Sequence, residues 1–333
     1  MKRICTSIAA LFVAVLTSSA ICAADLPIRI GYQPGTAPRF FVARDQQFFQ
    51  KAGLAPDYSK FISGPSMLAA LQGENIDVAF MTTPPVVFGL SQGIGIEIFF
   101  VESDAAKTQA LVSTKGGAIK TFADQKGQKI AVTFGTSAHY GLLKSLQAAK
   151  LSESDLTILN MQPSAMLPAF IKDDVAGAWS WDPWTAKMQH ETGTLVGSLG
   201  TLNLPMPGVW VVRTKWLAQN ADAIQRFIKA LDSAASYMKS NSGDAVKAIE
   251  SELGVDHATA ELIYSRIDVP TLPKQLDGYV AALGTSNTKA GSGMAAHLED
   301  LANFFIQQKQ ITAKPNLAAA IDPQPLEKYL HTQ

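Results

Sequence analysis

Short apolar runs with the character of β-strands alternate with helix-like segments along residues 28–213 of this 333-residue chain. The first pair is a strand over Ile28–Gln33 and an amphipathic helix over Pro38–Ala52, which Gly53 ends. Strands that alternate with helices form parallel sheets built from βαβ units. The pattern restarts at Lys129, so we predict an α/β protein with two lobes and a cleft between them.

The strand pattern fades after Lys215, and we expect the helical tail to pack on the first lobe. The predicted tail helices are Ala221–Asn241, Gly243–Leu253, His257–Arg266, Leu272–Leu283 and Gly293–Gln308. We place the two chain crossings near 113–116 and near 210–213. Lobe one is then residues 25–112 plus 212–333, and lobe two is residues 113–211.

Residues 1–24 have the pattern of a secretory signal peptide. Lys2 and Arg3 precede an apolar run over Ile8–Thr17, and small residues follow it. Cys22-Ala23-Ala24 is a plausible cleavage site, while Ile21 is a poor match for the small residue that precedes a lipid-bearing cysteine. We therefore expect export to the periplasm. Both cysteines of the chain lie in this leader, which excludes disulfides and thiol catalysis from the mature protein.

The charge balance is close to neutral. The full chain has 28 basic and 28 acidic residues, and only basic residues, Lys2 and Arg3, are lost with the leader. Proteins that bind nucleic acids or anionic membranes need a basic face. The sequence therefore favours a small-molecule partner, with no nucleic acid and no metal or cofactor.

Four polar loops sit where a strand-like run turns into a helix. Helix N-termini have unpaired N–H groups and the positive end of the helix dipole, which together suit an anion. Serine and threonine are also ordinary helix caps, so a single loop indicates little. The four loops together predict a cleft for a small anion: Gly31–Thr36, Ser63–Ser66, Thr82–Pro85 and Gly135–Tyr140.

The candidate ligand residues of the first lobe end strands or begin helices. Gln33 ends the first strand, where α/β sheets place their crevice, and its amide can donate to an anion. Gly64 and Ser66 begin one helix, and Thr82 and Thr83 begin the next. Plain helix capping is the alternative for these residues, and the two roles are compatible.

The second lobe supplies the other candidates. Thr136 and Ser137 begin a long amphipathic helix and are the strongest candidates, while His139 is either a ligand residue or a packed histidine. Trp181 can cover the apolar part of an organic anion or pack in the core. Asp182 can pair with an ammonium group, although its position before a proline favours a helix cap.

An enzyme is the competing hypothesis. The chain lacks a phosphate-binding G-x-x-x-x-G-K motif, an H-E-x-x-H motif and a G-x-S-x-G motif. The mature histidines have no metal-ligand spacing. We therefore expect no catalytic residue, although a catalytic pair assembled only in space would leave no such motif.

Several segments, in this order, resemble the periplasmic substrate-binding proteins of ABC importers for aliphatic sulfonates, taurine and nitrate. They are Arg29–Gln33, Ser63–Ser66, Asn75–Ala79, Lys126–Val132, Gly135–Tyr140, Asp174–Ala178, Trp181–Trp184 and Val209–Arg213. The resemblance implies a type II periplasmic-binding-protein fold that closes on its ligand by a hinge motion. It also implies docking onto ABC permease subunits, and we expect a monomer.

The resemblance leaves the ligand open. A small organic sulfonate is the first expectation, and nitrate, an aryl sulfate, or an enzyme of the pyrimidine- or thiamine-precursor type on the same fold are alternatives. The taurine-binding branch of the family looks to place an acid immediately before the Val-Trp-Val-Val-Arg segment. Here that residue is Gly208. We therefore predict a preference for sulfonates without an amino group.

Overall fold

The computed structural model describes residues 25–114, 116–191, 193–276 and 293–333. The predicted leader and its cleavage site lie outside the described residues. Within those ranges no helix has both the length and the hydropathy needed to cross a membrane. The described chain forms two five-stranded sheets with helices packed around each of them.

The first sheet forms the core of lobe one. Its strands, in spatial order, are β2 (Leu54–Lys60), β1 (Leu26–Tyr32), β3 (Val78–Thr82), β10 (Pro207–Arg213) and β4 (Ile96–Asp104). Strands β2, β1 and β3 are parallel, and β10 runs antiparallel to both of its neighbours. The loops after β1 and β3 therefore emerge at the same edge of the sheet.

The second sheet repeats this arrangement in lobe two. Its strands, in spatial order, are β7 (Thr157–Asn160), β6 (Lys129–Val132), β8 (Gly177–Trp181), β5 (Gln109–Ser113) and β9 (Thr194–Ser198). Strands β7, β6 and β8 are parallel, and β5 is antiparallel to β8 and β9. The two sheets confirm the predicted α/β architecture with two lobes.

Strand pairing moves both predicted crossings toward the N-terminus. The first crossing is Ala105–Thr108, because the whole of β5 pairs within the second sheet. The second is Leu199–Met206, because the whole of β10 pairs within the first sheet. The predicted boundary at 112/113 therefore falls inside β5, and the one at 211/212 falls inside β10. The crossings lie side by side, with the Ala105 N–H donating to the Met206 carbonyl at 2.9 Å.

Helices fill the connections between strands and form the tail. They are α1 (Pro38–Asp45), α2 (Phe48–Lys51), α3 (Gly64–Gln72), α4 (Thr83–Ser91), α5 (Ser137–Ala148), α6 (Pro163–Ile171), α7 (Trp184–Glu191), α8 (Thr214–Leu217), α9 (Ala221–Ser240), α10 (Ser242–Leu253), α11 (His257–Ser265), α12 (Gly293–Gln307) and α13 (Gln324–His331). Prolines occupy the first turns of α1, α3, α4 and α6, where a missing N–H costs nothing.

Two helix predictions need correction, and two helices were not predicted. The helix predicted over Pro38–Ala52 is two helices, because Gln47 adopts a left-handed conformation with φ 57° between α1 and α2. The helix predicted from Leu272 is described only to residue 276, where Pro273–Gln275 is a single 3₁₀ turn, and its remainder lies outside the described residues. The four-residue helix α8 and the C-terminal helix α13 were not predicted.

The helical tail packs on the first lobe, as expected. Trp210 of β10 is fully buried, and its ring lies 4.9 Å from that of Phe227 on α9 and 5.1 Å from that of Phe40 on α1. Phe49 extends the same cluster, with its ring 5.0 Å from Phe227. Lobe one is therefore packed around an aromatic core whose residues lie far apart in the sequence.

Candidate functional site

The loops at the carboxyl edges of the two sheets face each other. A Cβ built on Gly35, after β1, would lie 3.5 Å from the Asp182 carbonyl oxygen after β8. A Cβ built on Gly135, after β6, would lie 3.5 Å from Pro65 Cγ at the start of α3. All the predicted loops therefore border one cleft, and the lobes are in contact across it.

Gln33 and Thr82 are the first-lobe candidates whose side chains make no hydrogen bond to the described residues. Strands β1 and β3 are neighbours in register, with Gly31 opposite Ala79, so the two residues end adjacent parallel strands. Gln33 is buried and its Oε1 has no hydrogen-bond partner; its Nε2, the atom that can donate to an anion, makes no hydrogen bond to the described residues. Thr82 is also buried, and its hydroxyl makes no hydrogen bond to the described residues. Buried polar groups are normally paired, so both side chains have capacity for a ligand.

The other first-lobe candidates make hydrogen bonds or close packing contacts within the protein. The Ser66 hydroxyl donates to the Ser63 carbonyl at 2.6 Å. Thr83 Oγ1 lies 2.7 Å from Nε2 of His297 on α12. Gly64 has a packing role, because a Cβ there would lie 2.5 Å from Pro85 Cγ and would push α3 away from α4. These residues shape the edge of the cleft, and no described residue accepts the backbone N–H of Ser66.

The start of α5 offers backbone donors in place of the predicted hydroxyl donors. Thr136 caps the helix by accepting from the His139 N–H at 3.3 Å, and its hydroxyl donates to the Thr133 carbonyl at 2.6 Å. The Ser137 hydroxyl donates to Gln109 Oε1 at 2.6 Å. No described residue accepts the backbone N–H of Ser137 or Ala138. An anion at this helix end would therefore bind the N–H groups.

His139 carries an additional uncommitted donor. Its ring stacks on Phe134 with centroids 4.6 Å apart, and Nδ1 accepts a long hydrogen bond of 3.5 Å from the Gly135 N–H. That acceptor role assigns the proton to Nε2, which is buried without a partner. Burial lowers the pKa of His139 to about 4. The histidine is therefore neutral at pH 7 and can donate from Nε2.

Trp181 packs in the core of lobe two, and Asp182 caps a helix. Trp181 is buried in the core of lobe two, next to Leu111 and Trp179. Asp182 Oδ1 accepts from the Ala186 N–H at 3.0 Å and from the Thr185 hydroxyl, as the helix-cap interpretation predicts. Burial raises the pKa of Asp182.

The remaining oxygen of Asp182 pairs across the lobes. Its Oδ2 lies 3.4 Å from Nη1 of Arg266, which follows α11 in lobe one. Arg266 also donates to Gln189 at 3.2 Å, and Lys187 donates to the Leu253 carbonyl at 3.1 Å. On the side of α5, the Tyr140 ring lies 5.3 Å from that of Phe304. The lobes are therefore held in a closed arrangement by their own side chains.

Glu102 is a structurally important residue that the sequence interpretation missed. It is fully buried at the start of α1, where Oε1 accepts from the Arg39 N–H at 2.9 Å and Oε2 accepts from Trp210 Nε1 at 3.1 Å. This carboxylate already occupies the anion position of α1, so the first loop offers Gln33 but no free helix end. An acid directly after the apolar run Phe99–Val101 was the available signal, because a buried carboxylate needs partners.

The structure also explains Gly208. It pairs with Thr82 on one side and Ser103 on the other, inside the first sheet. A Cβ at this position would lie 2.9 Å from the Phe80 ring and from Ser103 Oγ. An acidic side chain there would require its neighbours to move, so this part of the cleft has no space for the carboxylate expected of a taurine binder.

Known proteins with similar sequences are bacterial binding proteins. The chain is 29% identical over 228 residues to the taurine-binding periplasmic protein of Escherichia coli, covering 68% of this chain and 71% of that protein. It is 30% identical over 225 residues to a putative aliphatic sulfonates-binding protein of Bacillus subtilis, covering 66% and 67% of the two chains.

Solved structures show the same fold. The alkanesulfonate-binding protein SsuA of Xanthomonas axonopodis pv. citri, bound to MOPS, matches with a TM-score of 0.76 at 22% identity, covering 90% of this chain and 99% of that one. The desulfurization enzyme DSZB matches with a TM-score of 0.69 at 16% identity, covering 92% and 99%. The two-lobed fold is thus shared by binding proteins and an enzyme. The model of the NMT1-like family matches residues 24–251, and the chain belongs to that family.

Proposed function

We propose that this protein is the periplasmic solute-binding component of an ABC importer and that it captures a small organic sulfonate. The observation that carries the proposal is the set of uncommitted donors on both sides of the cleft. Lobe one contributes the Nε2 group of Gln33, which donates to no described residue, and the hydroxyl of Thr82. Lobe two contributes the N–H groups of Ser137 and Ala138 and Nε2 of His139.

A sulfonate suits these donors because it carries one negative charge over three acceptor oxygens. Charge-assisted hydrogen bonds are stronger than neutral ones, and a helix N-terminus adds favourable dipole potential. A ligand that contacts both lobes binds the closed form more tightly than the open form and so shifts the equilibrium toward closure. The closed protein then docks onto the permease and releases the sulfonate for transport.

A ligand screen tests the proposal. Thermal unfolding should be measured with alkanesulfonates, taurine, an aryl sulfate, nitrate and matched carboxylates, since a ligand that binds only the native state raises the unfolding temperature. We expect the sulfonates to give the largest shifts. Nitrate or an aryl sulfate as the best ligand would replace the sulfonate by another anion, and no shift from any anion would refute the proposal.

Taurine should bind less tightly than propanesulfonate, its equivalent in length without an amino group. An ammonium group must be paired or stay hydrated when buried. Gly208 has no space for an acid, and Asp182 is already paired with Arg266. Competition calorimetry decides the preference. A taurine affinity tenfold higher, a difference of about 1.4 kcal/mol, would contradict it.

The likeness to DSZB keeps an enzyme as the second candidate, because that protein shows that this fold supports desulfurization. Under the binding proposal, a bound sulfonate is released unchanged. Incubation of the pure protein with each ligand that stabilises it, followed by mass spectrometry of the ligand and an assay for sulfite, separates the two functions. Stoichiometric recovery of the ligand supports a binding protein, and catalytic sulfite release would establish an enzyme.

A further inference from the structure

A cavity of about 430 Å³ opens between the lobes beside the cleft. Apolar side chains from both lobes line most of it: Pro34, Phe61, Ile62 and Leu253 from lobe one, and Pro183 and Trp184 from lobe two. Ile62 is 56% exposed, and Trp184 is half-buried. A ligand that covers apolar surface of this kind binds more favourably, because it removes that surface from water.

The cavity continues the cleft. Pro34 directly follows Gln33, Ile62 directly precedes the Ser63–Ser66 loop, and Pro183 directly follows Asp182. On the second sheet, Trp181 pairs with Gln109, whose side chain accepts from the Ser137 hydroxyl. The loops that surround the anion position therefore extend directly into the walls of the cavity.

The charges at the cavity favour a ligand that is an anion and disfavour one that carries an ammonium group. Glu252 borders the cavity, but its carboxylate pairs with Arg44 and lies 2.8 Å from Lys60 Nζ. Lys187 stands on the opposite wall and donates to the Leu253 carbonyl at 3.1 Å. The rim is thus cationic around an apolar interior.

We propose that this cavity holds the apolar tail of the ligand, so that the protein selects sulfonates with an aryl group or a longer alkyl chain. The inference rests on the proposed function, because it takes the anionic group to lie at the cleft. Each methylene that leaves water gains about fourfold in affinity. Affinity should therefore rise with chain length until the cavity is full.

Calorimetry with methane-, butane-, hexane- and benzenesulfonate tests the inference. The wild-type protein is compared with the double variant Ile62→Ser/Trp184→Ala, which removes two apolar side chains that line the cavity. Ile171→Ser is the matched control, because Ile171 is 50% exposed on α6 and does not line the cavity. Circular dichroism and thermal unfolding of each variant establish that it is folded.

We expect the double variant to lose at least about tenfold in affinity for hexanesulfonate and less than about twofold for methanesulfonate, on the scale of roughly fourfold per methylene. The control should bind as the wild type does. If methanesulfonate binds and chain length has no effect, or if the double variant keeps the wild-type series, the tail site is refuted and sulfonate capture stands. If the folded wild-type protein binds no sulfonate, the proposed function fails, and the tail site fails with it.

Discussion

Replacing Arg266 with alanine tests whether direct contact between the lobes contributes to closure. Arg266 belongs to lobe one, and its guanidinium lies 3.4 Å from Asp182 Oδ2 and 3.2 Å from Gln189 Oε1 in lobe two. Asp182 is fully buried, and the Arg266 side chain is 16% exposed. The contact exists only when the lobes meet.

The size of the effect follows from this geometry. Two unit charges 3.4 Å apart attract by about 5 kcal/mol at an effective dielectric constant of about 20, and removing one partner of a buried pair costs about 3–5 kcal/mol. The variant can avoid part of that cost by opening, because opening hydrates Asp182. We therefore expect closure to weaken by about 2 kcal/mol, which appears as roughly thirtyfold weaker ligand binding.

Titration calorimetry with the best sulfonate measures the affinity, and small-angle scattering of the saturated protein measures its compactness. Arg266→Ala with Asp182→Asn should recover part of the affinity, since asparagine keeps the helix cap and removes the unpaired charge. Arg226→Ala is the control, because Arg226 pairs with Asp222 at 3.0 Å within α9. An Arg266→Ala protein with wild-type affinity and compactness would refute the closure role.

Three further predictions concern stability and the anion position. Burial lowers the pKa of His297 to about 4, so the unfolded chain takes up its proton first and stability falls as the pH drops from about 6.5 to 4. His297→Gln should lose about 3 kcal/mol less than the wild type over that interval in urea unfolding, and an equal loss would contradict this. Glu102→Gln leaves the buried guanidinium of Arg39 without its counter-charge and should cost about 3–5 kcal/mol of unfolding free energy, whereas a cost below about 1 kcal/mol would mean that the pair is dispensable. Ser137→Ala removes a hydroxyl that donates to Gln109 and should weaken sulfonate binding by less than about tenfold, a loss of under 1.4 kcal/mol, while a hundredfold loss by calorimetry would show that the hydroxyl binds the ligand directly.

The order of strands and helices could be predicted because it depends on local patterns. Gly53 follows α2 with φ 78°, and Pro163 begins α6, so both residues act through their own backbone conformation. The sheet to which each strand belongs was harder to predict. Gln109–Ser113 is apolar enough to be buried in either sheet, and only its pairing with β8 and β9, which lie far along the chain, decides the matter.

The candidate residues were predictable by position but not by hydrogen bonding. Ser137 and Gln33 lie at the cleft because helix starts and strand ends collect there. Whether a side chain is free depends on partners that are distant in sequence. Gln109, 28 residues away, accepts a hydrogen bond from the Ser137 hydroxyl, whereas the Gln33 amide has no partner among the described residues. Helix-start rules identify donors in general, and they do not tell which donors the fold has already used.

The strength of the contacts between the lobes limits how well the protein can respond to its ligand. A closed form stabilised too strongly by its own contacts would be shut before the ligand entered, and one without such contacts would require the ligand to supply all of the closing free energy. The pair between Asp182 and Arg266 lies between these extremes, because the cost of burying the carboxylate offsets much of the attraction between the charges. Under the proposed function, a ligand that accepts from Gln33 Nε2 on one lobe and from the Ser137 and Ala138 N–H groups on the other would supply the remaining free energy of closure. In this arrangement, donors left unpaired in the closed cleft make closure depend on the ligand.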